Sequence, residues 1–146
     1  MKINSVFGNL DKIPVKYTAD GENINPPIEI LEAPKKAQSF VLIVDDHDAM
    51  PPKGFTHWIA WNIPLNVKKI EENSIHGEAI EGVNDAGKMG YIGPAPPSGV
   101  HIYFFKVFAL DTNIDLPEGS TKADLEKAIR GHVVEEAMLI GIYSRD

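Results

Sequence analysis

The sequence contains no cysteine, which excludes a disulfide framework, a thiolate zinc site, an iron-sulfur cluster and a cysteine nucleophile. It also lacks a basic run, because lysine and arginine never stand more than two together. Fourteen Lys and Arg against 21 Asp and Glu leave a formal charge of -7, the reverse of the concentrated positive footprint that nucleic acid demands. Apolar stretches such as Phe40 to Val44 fall far below the ~18 residues of a membrane span. The opening MKINSVFGNLDKIP reaches Asn4, Ser5, Asn9 and Asp11 before an unbroken apolar leader segment develops. Internal repeats and low-complexity tracts are absent as well. These absences predict a soluble cytoplasmic protein with no nucleic-acid partner and no stable membrane association.

What is present is ordinary for a globular chain: 146 residues, 43% apolar and 24% charged, enough for one core and short for two. Residues 1–146 are expected to form a single domain. Nine of the eleven prolines lie between Pro26 and Pro97, and no stretch before Ser120 carries a sustained 3.6-residue apolar period, so most of the chain reads as strand and loop. The strongest strands are Ser39 to Asp46, Phe55 to Ile63 and Val100 to Leu110, dense in β-branched and aromatic residues and apolar on both faces. Weaker ones are Ile3 to Phe7, Ile28 to Leu31 and Met138 to Tyr143. One helix is predicted from Thr121, where Thr121 and Asp124 have capping-box spacing, Leu125, Ala128 and Ile129 share a face, and Gly131 stands at the C-terminal cap. The polar connection from Leu65 to Gly90 is long for a structureless loop.

Strict strand alternation groups His101, Tyr103, Phe105 and Val107 on one face of their strand. In the preceding strong strand it groups Phe55, His57, Ile59 and Trp61 against Thr56, Trp58, Ala60 and Asn62. His57 and His101 each stand near a strand start, so adjacent strands would bring both imidazoles to one end of a sheet. Asp45, Asp46, His47 and Asp48 close the Ser39 strand nearby. A cluster of imidazoles, a tyrosine hydroxyl and an orienting aspartate suits a phosphate or carboxylate group. In the segment GYIGPAPPSG before His101, Gly93 permits close backbone approach to a ligand, the prolines stiffen a wall, and backbone N–H groups complete an anion-binding concavity. Each side chain also has a plainer role: Tyr103, Trp58 and Trp61 as core aromatics, Asp45, Asp46 and Asp48 as turn caps, and His47, His76 and His132 as solvent-exposed imidazoles.

The strings DGENINPPIEI, DDHDAMPPKGFTHWIAWNIP, GVNDAGKMGYIGPAPPSGVHIYFFKVFALD and HVVEEAMLIGIYSR together resemble the phosphatidylethanolamine-binding protein family in its bacterial and archaeal branch, across nearly the whole chain. The resemblance implies a mainly all-β fold, a β-sandwich with a short C-terminal helix and an anion pocket at one end. It places the family's DPDAP motif on Asp46, His47, Asp48, Ala49 and Met50, its strand histidine on His57, its GxHxY element on Gly99, His101 and Tyr103, and the glycine-proline of the pocket wall on Gly93 and Pro94. The implied ligand-binding residues are Asp46, His57, Gly93, Pro94, His101 and Tyr103, supported by Asp48, Asn23 and Pro26. His47 and Met50 replace two prolines of the motif, Asn25 stands where serine is usual, and Ile102 replaces a common arginine.

Three functions follow. The leading one is a binding protein, not an enzyme, taking a small anionic ligand without cofactor or metal; the resemblance adds regulation of a kinase or protease partner. The second is a metal-dependent hydrolase built on Asp46 and the two histidines, which requires ligands converging at ~2.0 to 2.2 Å. The third is a serine-protease inhibitor presenting the Leu65 to Gly90 connection or the Met50 to Lys53 turn, the former disfavoured by its four glycines because inhibitory loops gain affinity from rigidity.

Overall fold

The computed structural model describes residues 1–49 and 53–145; Met50 of the matched motif and the first part of the Met50 to Lys53 turn lie outside them. Among the described residues the strands are β1 (Lys2–Asn4), β2 (Asp11–Lys12), β3 (Ile28–Leu31), β4 (Ser39–Asp46), β5 (Phe55–Pro64), β6 (Lys69–Ile70), β7 (Ile80–Glu81), β8 (Val100–Leu110) and β9 (Val133–Ser144), with one α-helix, α1 (Lys122–Ile129). They form a large sheet in the order β2-β9-β8-β4-β5-β7 and a small one in the order β1-β3-β6. Every pairing is antiparallel except β2 with β9. The sheets are open, and the fold is the mainly β sandwich with one short helix that the sequence predicts.

β4 runs through the middle of the large sheet, flanked by β5 and β8 and buried along its whole length. Its alternate residues therefore feed two cores. Phe40, Leu42 and Val44 face the small sheet together with Trp58, Ala60, Phe105, Val107, Ile28 and Ile30. Val41 and Ile43 face the other way with Ile59, Trp61 and Leu110, covered by Leu125 and Ile129 of α1. The helix forms where its caps predict: Thr121 and Asp124 make the reciprocal capping box, and Gly131 takes a φ of +80° just beyond the end, a conformation glycine reaches without a Cβ penalty.

β5 departs from strict alternation. Its register with β4 jumps between Phe40 and Leu42 and again between Val44 and Asp45, each time with one extra residue on β5. Such bulges flip the phase of everything beyond them. The consequence corrects the expected grouping of Phe55 and His57 with Ile59 and Trp61: Ile59 and Trp61 belong to the helix-side core, whereas His57 meets Tyr103 on the small-sheet side. At the first bulge Asn62 has a φ of +55°, and its side chain donates to Ile114 O (2.9 Å) and accepts from Ile114 N (2.7 Å).

Other expectations hold with shifted ends. β1 stops at Asn4, short of Phe7, and β9 begins at Val133, five residues before Met138. The Leu65 to Gly90 connection is not structureless: it contains β6 and β7, and buried Asn25 ties it down by donating to Glu71 O (3.1 Å) and accepting from Ser74 N (2.9 Å).

Phe105 is 1% exposed and meets Phe7 edge-on at 5.5 Å between ring centroids. Phe105→Ala should lower stability by roughly 3 to 5 kcal/mol in denaturant melts; a loss below about 1 kcal/mol would contradict its place in the inner core.

Candidate functional site

β4 ends in two adjacent carboxylates, Asp45 and Asp46, each 1% exposed. Alternation sends them to opposite faces. Asp46 turns toward the small-sheet side, where Oδ1 accepts the backbone N–H groups of Asp48 (2.9 Å) and Ala49 (3.2 Å) and Oδ2 lies 2.5 Å from His101 Nδ1. It therefore does two things at once: it caps the turn leaving β4, and it fixes the imidazole of His101. Because the carboxylate accepts, His101 donates from Nδ1 and keeps its Nε2 edge for a ligand.

His57 sits at the second bulge of β5. Its Nδ1 is 2.7 Å from Ile92 O, and Ile92 N donates back to His57 O (3.0 Å). A carbonyl oxygen only accepts, so Nδ1 carries the hydrogen. Burial, the largest influence, pushes the imidazole pKa down; the Ile92 carbonyl and the carboxylates of Asp46, Asp45 and Asp85 oppose it without overcoming it. Neutral His57 thus presents a bare Nε2. Tyr103 stands with its ring 5.3 Å from that of His57, edge-on, and 6.4 Å from that of His101. Burial first and Asp46 second push its hydroxyl pKa up, so it remains a donor.

Asp46, His57, His101 and Tyr103 open on one cavity of about 430 Å³. Asp48 also lines it, and the rest of its wall, Phe55, Ala49 and the segment Ala95, Pro96, Pro97, is apolar. A larger cleft of about 670 Å³ lies between residues 1–9 and Ala137 to Leu139, but Lys2 and Glu29 are the only ionisable side chains along it. Among the described residues no group of three or more His, Asp or Glu is arranged to hold a metal ion.

The two histidines do not lie on adjacent strands, as the sequence suggests; β4 runs between β5 and β8, and it delivers Asp46 between them. Gly93 and Pro94 do not line the cavity. The Gly93 N–H is spent on Asn23 Oδ1 (2.7 Å), and a Cβ there would come within 2.5 Å of Tyr17 O. The glycine thus permits close approach to the chain's own backbone, and not to a ligand as expected. Pro94 O accepts from Ala19 N (3.0 Å). Asn23 acts behind the wall, and Pro26 accepts from Asn25 Nδ2 (3.1 Å); neither lines the cavity. Nor does the segment offer a full set of backbone donors, since Pro96 and Pro97 have no N–H.

Sequence reasoning missed Phe55 as a wall residue, because strict alternation assigned it elsewhere. It also missed the cluster on the opposite face. Asp45 Oδ2 meets Lys122 (2.6 Å) and Lys106 (3.2 Å), and His47 Nε2 is 3.0 Å from Oδ1. Burial pushes the Asp45 pKa up, but Lys122, Lys106 and His47 outweigh it and hold the carboxyl below its usual range. The available signal was Lys106 itself, a lone cation inside an apolar strand. His47 is half exposed and stacks on Phe104 at 4.4 Å between ring centroids.

An open β-sandwich covered by a helix on one face, with two histidines opening on a cavity at the end of its central strands, defines the class of fold. Residues 3–144 match the sequence profile of the phosphatidylethanolamine-binding protein family, and the chain belongs to that family. A UPF0098 protein of Methanothermobacter thermautotrophicus is 48% identical over 95% of this chain and 95% of its own, and one of Pyrococcus horikoshii is 48% identical over 99% of this chain and 77% of its own. The crystal structure of a phosphatidylethanolamine-binding protein homologue from Chlamydia trachomatis superposes with a TM-score of 0.93 at 35% identity, covering 99% of this chain and 97% of that one. Escherichia coli YbcL gives the same TM-score at 25% identity. Among the described residues no helix is long and apolar enough to cross a membrane.

The depressed pKa of His57 makes stability pH-dependent. In the unfolded chain a histidine titrates near ~6.5, so just below that value the unfolded state binds the extra proton; the stability is fully present above it and is lost as pH falls toward the lower folded value. The denaturant midpoint should fall between about pH 7 and pH 5.5, and His57→Gln should flatten that fall. Equal slopes in both proteins would show that His57 is not held neutral.

Proposed function

We propose that this protein binds a small organic ligand through an oxyanion head, with the head against His101, His57 and Tyr103 and an apolar body against Phe55, Pro96 and Pro97. The observation that carries the reading is the Asp46–His101 pair: a buried carboxylate holds one imidazole by its Nδ1 hydrogen on a cavity whose remaining wall is largely apolar. Preorganised polar groups in an apolar pocket of this size are what small-molecule sites use for orientation and specificity. Net charge of -7 repels anions at long range, so attraction is local and comes from hydrogen bonds at the site. Asp46 accepts at both oxygens and both Nδ1 atoms are engaged by the protein, which leaves the two Nε2 edges and the Tyr103 hydroxyl to meet a ligand. Regulation of a protein partner would follow from occupancy of this pocket.

Phenyl phosphate is a suitable probe, combining a phosphate head with a flat apolar ring. Titration followed by NMR should shift the signals of Phe55, His101 and Tyr103, and His101→Ala should weaken binding by about tenfold or more, the usual cost of a missing charge-assisted partner. Unchanged affinity in both His101→Ala and His57→Ala would remove the two histidines from the site. Release of phenol with wild-type rates lost in either variant would replace the binding reading with a hydrolytic one.

A further inference from the structure

His57 and His101 are both imidazoles on one cavity, yet their hydrogen-bond commitments differ. His101 gives its Nδ1 hydrogen to a carboxylate, Asp46, a partner whose negative charge faces the ring. His57 gives its Nδ1 hydrogen to a backbone carbonyl, Ile92 O, at 2.7 Å. That carbonyl cannot compensate a positive ring as a carboxylate does. The ring is 6% exposed, set between Phe55 at 4.8 Å and the edge of Tyr103 at 5.3 Å, and its orientation is fixed by the reciprocal pair with Ile92. Among the described residues Nε2 has no protein partner, and His57 lines the cavity. The charged and titratable groups around the ring are Asp45 and Asp46 on β4, Asp85 after β7, and His101 and Tyr103 on β8.

A bare ring nitrogen is an acceptor. Placed beside an oxyanion whose every oxygen is also an acceptor, it faces lone pair against lone pair and is left desolvated without a hydrogen. Placed beside an oxyanion that retains one O–H, it closes a hydrogen bond. We infer that His57 is the specificity-determining acceptor of this pocket, selecting oxyanion heads that carry their own proton, such as the monoanion of a phosphate monoester or a phosphonate, over fully deprotonated heads of the same shape and charge, such as a sulfate ester. This rests on the proposed binding function and narrows its ligand class. Division of labour follows: the Tyr103 hydroxyl and the carboxylate-paired His101 face the deprotonated oxygens, and His57 receives the remaining hydrogen. A site built around one obligatory polar contact rejects analogues lacking the matching group more strongly than an apolar wall rejects a change of size.

Phenyl phosphate and phenyl sulfate provide the matched pair. At about pH 6 roughly half of the phosphate ester holds its second proton and carries the same single charge as the sulfate ester. The two then differ by one hydrogen. Wild-type protein should bind phenyl phosphate about tenfold or more tightly than phenyl sulfate, the cost of leaving one buried acceptor unpaired. The ratio should narrow as pH rises to about 8, where the ester loses that proton. In His57→Gln the amide can rotate to offer either an oxygen or an N–H, so the ratio should fall to about one, chiefly by a gain in phenyl sulfate affinity. Ring ¹⁵N shifts of wild-type protein should report hydrogen on Nδ1 and none on Nε2 of His57, with Nε2 moving on phenyl phosphate addition. Equal wild-type affinities, or a ratio that persists in a folded His57→Gln protein, would overturn the inference while leaving the binding function standing. Binding of neither probe would overturn both.

Discussion

A strand buried on both faces that ends in two consecutive carboxylates imposes its requirements on everything around it. Asp45 and Asp46 are each 1% exposed, and a buried carboxylate is tolerated only with partners on its oxygens. Because successive side chains leave a strand on opposite faces, the two acids cannot share partners. Asp45 is met on the helix side by Lys106 from β8, Lys122 from the first turn of α1 and His47 from the outgoing turn. Asp46 is met on the other side by His101 and two backbone amides of that same turn. One dipeptide thereby anchors the helix start, the turn and the candidate pocket, and the two faces of the sheet are coupled through adjacent residues of one strand.

The second constraint is the pair of bulges in β5. Without the extra residue between Thr56 and Trp58, His57 would share a face with Ile59 and Trp61 and point toward the helix-side core. The bulge turns it toward Tyr103 and lets its backbone and ring both bond Ile92. The cost is a broken ladder, offset by neighbours outside it: Asp85 N donates to Thr56 O and Thr56 N to Asp85 Oδ2, at 2.9 and 2.8 Å. At the other bulge Asn62 performs the equivalent service for the 111–116 segment. Bulges next to binding sites serve this re-aiming purpose.

Electrostatically the pocket is an exception within an acidic molecule. Its acid is hydrogen-bonded at both oxygens, its second imidazole is kept uncharged by burial, and its tyrosine retains its hydrogen. The site therefore offers directed hydrogen bonds more than net charge, and selectivity in such a site comes from matching donors to acceptors.

Much of this was legible in the sequence. The three central strands and the capped helix follow from residue pattern and capping-box spacing, because those signals are local: side-chain period is a property of the backbone, and a cap involves residues three apart; the association of Asp46, His57, His101 and Tyr103 came from the family motifs. The resemblance also brought Gly93 and Pro94 to the site, but their actual partners, Tyr17, Ala19 and Asn23, are some seventy residues away in sequence. Equally hidden were the strand order that puts β4 between the histidines, the bulges that set the phase of His57, and the lysines gathered on Asp45. Register and strand order are chosen by which cross-strand contacts bury most and leave fewest polar groups unpaired, a competition among distant segments that no stretch of sequence contains by itself. Local periodicity determined which residues had the chemistry for a site; only tertiary pairing decided which way each of them points and what it bonds.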